Sequence, residues 1–188
     1  MTPLPLGILA LAGAGGGGGA FDLLETTTLA TSASSVTFSG LDTLAAGYKH
    51  LQIRAVTRAN APLSIKAAQL NFNGDTASNY AFHYLRGNGS SVSVDSNPNR
   101  AFIRGWFSTG STSPTNIYTA AVLDILDFNN SSKFTTTRSL EGNAGGNNGI
   151  ALWSGLWQST AAITSIAITV DDAYDFIAGS RFSLIGVK

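Results

Sequence analysis

The chain has no cysteine, one methionine, two histidines and only two glutamates, Glu25 and Glu141, in 188 residues. Without cysteine there are no disulfide staples, no thiolate metal site and no cysteine nucleophile, so stability must come from core burial or from assembly. Charged residues make up 12% of the sequence, about half of the ~25% usual in soluble domains, which leaves Ser, Thr, Asn and Gly to form the polar surface. Eleven basic residues balance eleven acidic ones. A chain of zero formal charge exerts no field that gathers a phosphate backbone or an anionic membrane, and it lacks the self-repulsion that keeps monomers apart. Nucleic-acid binding is disfavoured on this ground, and life inside a larger particle is favoured. The shortage of strong helix formers argues against long helices. The length suits one hydrophobic core with an appendage.

What is present begins with that appendage. Residues 1–20 read MTPLPLGILALAGAGGGGGA, with no charged side chain and a run of Gly15, Gly16, Gly17, Gly18 and Gly19. A signal peptide would explain the apolar stretch over residues 6–14, but the positively charged start of such a peptide is missing. A membrane-spanning helix needs about 20 apolar residues, and the glycines begin too early for one. The reading preferred is an extended anchor peptide over residues 1–21. Its Leu4, Leu6, Ile8, Leu9 and Leu11 would fill apolar pockets of a partner, and its glycines would allow close backbone approach.

Residues 22–188 read as a single all-β domain, an antiparallel, jelly-roll-like β-sandwich of ten or eleven short strands. Leu51, Ile53 and Ala55 alternate with Gln52, Arg54 and Val56, the period of two of a half-buried strand. Ala68, Leu70 and Phe72 repeat it, and Asn73-Gly74-Asp75 supplies a turn. Residues 80–86 are rich in aromatics, Gly87-Asn88-Gly89-Ser90 turns, and Val92 and Val94 alternate with serines until Asn97-Pro98-Asn99 closes the segment. Residues 101–107 and 116–128 predict further strands, the second apolar on both sides and therefore placed at the centre of the core. Residues 134–140 and 150–157 follow, separated by a polar Gly/Asn loop over 141–149. Ile166, Ile168 and Val170 mark another strand, and residues 181–188 end the chain as the last.

Candidate chemistry is thin. His50 and His83 fall on strands, and no G-x-S-x-G elbow surrounds a serine. Asp124 with Asp127, or Asp171, Asp172 and Asp175, could supply paired carboxylates. The second group could also hold calcium, although a solvated turn is the plainer reading. No catalytic residue, cofactor site or metal site is assigned. Sugar contact by Tyr80, Phe82, Tyr84, Trp106, Phe107, Tyr118, Trp153, Trp157 or Tyr174 is weighed against burial, which is commoner for such residues. The candidate surface contacts are the loop asparagines Asn88, Asn97, Asn99, Asn143, Asn147 and Asn148.

Several phrases resemble a family of small tailed-bacteriophage virion proteins. They are PLGILA (5–10) with FDLLET (21–26), LNFNGDTASNYAFHYLRGNGSS (70–91), DILDFNNSSKFTTTRSL (124–140), LWQSTAAITSIAIT (156–169) and SRFSLIGVK (180–188). The resemblance implies a β-sandwich accessory protein of the particle, located on the virion and assembled as a homo-oligomer, commonly a trimer. Its partners would be capsid or tail proteins and, for a fibre, a host-surface glycan, with no cofactor and no membrane insertion. A tail fibre or appendage is favoured over a capsid decoration protein. The role expected is non-enzymatic; the runner-up from another class is a secreted carbohydrate-binding module with a cleaved signal peptide, and an enzyme such as a depolymerase comes third.

Overall fold

The structure, a computed structural model, describes residues 19–144 and 149–188. The anchor residues Leu4, Leu6, Ile8, Leu9, Leu11 and Gly15 to Gly18 lie outside the described residues, as do Asn147 and Asn148. Gly19 is exposed and leads directly into the first strand.

Two antiparallel sheets pack face to face as a β-sandwich. The larger has eight strands in the spatial order β1 (Phe21–Thr28), β12 (Arg181–Val187), β3 (His50–Thr57), β8 (Thr119–Leu126), β9 (Thr135–Asn143), β10 (Gly149–Trp157), β5 (Tyr80–Gly87) and β6 (Val92–Arg100). The smaller has four: β2 (Ser35–Ser39), β11 (Ser165–Val170), β4 (Ile65–Phe72) and β7 (Ile103–Thr109). The chain passes repeatedly from one sheet to the other. Among the described residues helix is limited to α1 (Leu41–Leu44) and one 3-10 turn at Asp171–Ala173, as the composition leads one to expect.

The period-two segments place their apolar parity inward. Leu51, Ile53, Leu123 and Ile125 face Phe38, Leu70, Phe72, Ile166 and Ile168 across the sandwich, all essentially buried. Glycine stands at two core positions that leave no room for a side chain. A Cβ on Gly155 would lie 2.5 Å from Thr137 Oγ1 and 2.6 Å from Ile103 Cγ2, and one on Gly105 would lie 2.6 Å from Leu70 Cδ1. Gly105 is also the extra residue of a β-bulge, since Ala68 pairs with Trp106 and Gln69 with Arg104.

Three expectations need correction. Asn97-Pro98-Asn99 does not close a strand: β6 runs through to Arg100, with a bulge between Tyr80 and Phe82 of its neighbour. Pro98 is tolerated because β6 is an edge strand, where its missing N–H removes no ladder bond, and Asn99 takes up the irregularity at φ 55°. The polar segment after residue 140 is not all loop, because β9 continues to Asn143 and Glu141 is buried. Finally, β8 lies mid-sheet, but only one of its faces enters the core; Val122 on the other is 39% exposed. The smaller sheet covers the larger on one side alone.

Candidate functional site

The uncovered face of the larger sheet is apolar over most of its width. Strand register aligns Val122, Leu140, Leu152, Leu85 and Val94 as one cross-strand row spanning β8, β9, β10, β5 and β6. The next row towards the hairpin tips reads Val56, Ala120, Gly142, Ile150, Gly87 and Val92. These side chains are exposed, Leu152 by 53%, Ile150 by 64% and Val94 by 71%. Ala120 and Gly142 are small between larger neighbours, and the dip they leave forms a groove of about 530 Å³ bounded by Val56, Val122, Leu140 and Ile150. No charged side chain interrupts the two rows. Arg54 and Arg181 stand at the β3–β12 flank.

Polar residues border the rows on the far side. Arg54 Nε donates to Gln52 Oε1 (2.9 Å), Gln52 Nε2 to Asp124 Oδ1 (2.9 Å) and Arg138 Nε to Asp124 Oδ2 (3.0 Å). Ser154, His83 and Ser96 continue that border along the same register line. The arrangement is an aliphatic centre with a hydrogen-bonded rim, as protein interfaces have.

Two hairpin tips meet at the end nearest Ile150. Asn88 and Asn143 line a shallow depression there of about 350 Å³, together with Gly87, Gly89 and Gly149. The Asn88 side-chain oxygen is turned into its own loop, accepting from the backbone N–H of Ser90 (3.0 Å) and Ser91 (2.8 Å) and from both hydroxyls. Asn143 Nδ2 reaches Thr119 Oγ1 at 3.3 Å. Asn97 and Asn99 lie towards the other end of β6, where Asn97 donates to Asp95 Oδ2 at 2.7 Å. The candidate asparagines therefore do not form one surface: the structure joins Asn88 with Asn143 and separates them from Asn97 and Asn99.

Beneath the aliphatic rows sits a buried carboxyl. Glu141 projects inward between Ala121 and Ala151, its ladder neighbours, whose small side chains leave it room. It accepts the backbone N–H of Phe107. Ser139, two residues earlier, donates to the Gly105 carbonyl. Since β7 is an edge strand of the smaller sheet, these two side chains satisfy backbone groups that the edge would otherwise leave open. Burial pushes the Glu141 carboxyl up to about 8, with the Phe107 hydrogen bond and the nearby Arg86 charge acting in the opposite direction. The Trp153 indole N–H lies near the carboxyl and also holds it down slightly, without closing a full hydrogen bond. Trp153 packs on Tyr84 (4.7 Å between centroids) and Phe107 (4.8 Å), and Arg86 lies over the Phe107 ring at 5.8 Å.

The remaining candidates are engaged elsewhere. Asp171 receives hydrogen bonds from Gln69 (2.5 Å) and Arg104, while Lys66 pairs with Asp172 and holds its carboxyl below the usual range. Asp175 faces Asn60 instead, so the three carboxylates do not converge. Among the described residues no three His, Cys, Asp or Glu side chains gather as metal ligands. His50 Nδ1 accepts the Asp127 N–H at 2.9 Å, and Asp127 itself is held below the usual range chiefly by its hydrogen bond from Lys133. His83 lies between Ser154 and Ser96 on the sheet, with no hydrogen bond to either among the described residues. Of the nine aromatics weighed for sugar contact, Tyr80, Phe82, Trp106, Trp153 and Trp157 are buried and the other four half-buried. No described helix is long and apolar enough to cross a membrane.

Sequence reasoning missed the aliphatic rows. Their signal is nonetheless present: residues 119–126 and 149–157 carry apolar side chains at both parities, although a two-sheet sandwich can cover only one face of each strand. The chain matches no protein-family model, no curated protein and no solved structure.

Proposed function

We propose that the chain is a structural subunit of a tailed-bacteriophage particle, a tail-associated fibre or appendage protein that works as a homo-oligomer, in trimeric form. Residues 1–21 dock on a capsid or tail protein, and the sandwich projects towards the host surface, where the hairpin end carrying Asn88 and Asn143 offers polar contacts to a glycan. The observation that carries the reading is the exposed aliphatic face of the larger sheet. Such a face in a chain without net charge suits burial in an assembly rather than free solution. The resemblance of the quoted phrases supplies the kind of assembly. The N-terminal segment fits it because a projecting subunit needs a short adhesive terminus. Burial of five of the nine weighed aromatics leaves little stacking platform for the carbohydrate-module alternative.

The test is mass spectrometry of purified particles. The reading expects this chain to co-purify with the capsid and tail proteins with its first residues intact. Absence from the particle, or cleavage between residues 14 and 20, would overturn it in favour of a secreted module. Position on the capsid shell instead of the tail would assign it to decoration.

A further inference from the structure

We infer that copies of this chain associate through the aliphatic face of the larger sheet, each turning the two rows to a common symmetry axis and burying them against the same face of its neighbours. The inference deepens the self-assembly element of the proposed function and rests on that element alone.

Area is the first argument. Eight Val, Leu and Ile side chains of the rows are between 39% and 71% exposed, which together leaves on the order of 700 Å² of aliphatic surface, beside the ~800 Å² per partner of a standard stable interface. The largest apolar patch on a typical monomer is about 300–600 Å². Chemistry is the second. The rows hold no charge and no hydrogen-bonding side chain, so they recognise another dry surface of the same kind and offer nothing to a polar ligand. The Arg54–Gln52–Asp124–Arg138 chain lies outside them and can stay hydrated at the rim. Shape is the third. Sheet faces pack on sheet faces about 10 Å apart with interdigitated side chains, the packing this chain already uses on its other side. Three copies that turn this face to one axis close the assembly, whereas a contact whose rotation does not close would propagate. Leu152 stands at the middle of its row, between Leu140 and Leu85.

The absence of cysteine makes the test direct. In the full-length chain, Leu152→Cys should give an interchain disulfide on oxidation, while Ala167→Cys, on the outer face of the smaller sheet, should not. Leu152→Asp, at an exposed position, should keep the circular-dichroism spectrum of the parent while weakening association at least ~100-fold in analytical ultracentrifugation. If Leu152→Asp does not fold, the disulfide result alone decides. An assembly that survives Leu152→Asp unchanged, with no crosslink at Leu152→Cys, overturns this face and leaves self-assembly standing. A parent chain that is monomeric at roughly 100 µM overturns both. Dissociation by Leu6→Ser with Leu9→Ser, with Leu152→Asp inert, overturns the inference in favour of the N-terminal segment as the adhesive element.

Discussion

Replacing Glu141 with glutamine should remove a large part of the pH dependence of folding. The carboxyl is buried between Ala121 and Ala151 and hydrogen-bonded to the Phe107 N–H, and its burial raises it from 4.5 to about 8. Below pH 4.5 both folded and unfolded chains hold this proton, and its contribution to stability is fully present. Between 4.5 and about 8 the unfolded chain has released the proton and the folded chain has not, so stability falls as pH rises through the window. Above it the contribution is gone. A rise of this size corresponds to about 5 kcal/mol as an upper bound, reduced wherever Arg86 approaches the ionised form more closely. Glu141→Gln keeps an oxygen for the Phe107 N–H and cannot ionise. Urea unfolding of parent and variant at pH 5 and pH 8.5 isolates the effect, because every other titrating group is common to both. The expected result is a parent that loses up to about 4 kcal/mol relative to the variant over that range. A difference between the two proteins that does not change with pH would refute the buried-carboxyl reasoning.

Other perturbations follow from particular contacts. Arg58 is buried and donates to the carbonyls of Ser113 (2.7 Å), Pro114 (2.8 Å) and Ile117 (2.9 Å), holding the β7–β8 connection. Arg58→Met should cost about 3 kcal/mol, lower the thermal midpoint by about 6–12 °C, and open that connection to proteolysis; a parent-like midpoint would contradict this. Gly155→Val should destabilise by about 1–3 kcal/mol, because the new side chain overlaps Thr137 and Ile103 between the sheets. Urea titration would detect the loss, and an unchanged midpoint would show that the sheets can separate there at no cost.

Much of the sandwich was legible because half-buried strands write their faces in alternation. Leu51, Ile53 and Ala55, or Ile166, Ile168 and Val170, point one way in sequence and one way in space. Elsewhere the physics is non-local. Glu141 stands among glycine and asparagine and reads as loop, yet its burial depends on an N–H at Phe107, thirty-four positions away, on an unpaired edge. Pro98 reads as a strand stop, and only the edge position of β6 makes it harmless. Val122, Leu140, Leu152 and Leu85 were the hardest to place, since apolar residues at both parities look the same whether the second face meets a helix, a sheet or another molecule. Among the candidate contacts, Asn88 and Asn143 came together because β5 and β9 both pair with β10, a neighbour relation that their spacing does not encode.

A density map of the native assembly tests the central claim most directly. The account predicts the β-sandwich on a phage particle, residues 1–21 entering a groove of a capsid or tail protein, and the row from Val122 to Val94 covered by the same row of a neighbouring copy. A sandwich whose aliphatic rows face solvent, with residues 1–21 packed on their own domain and no particle attached, would contradict it.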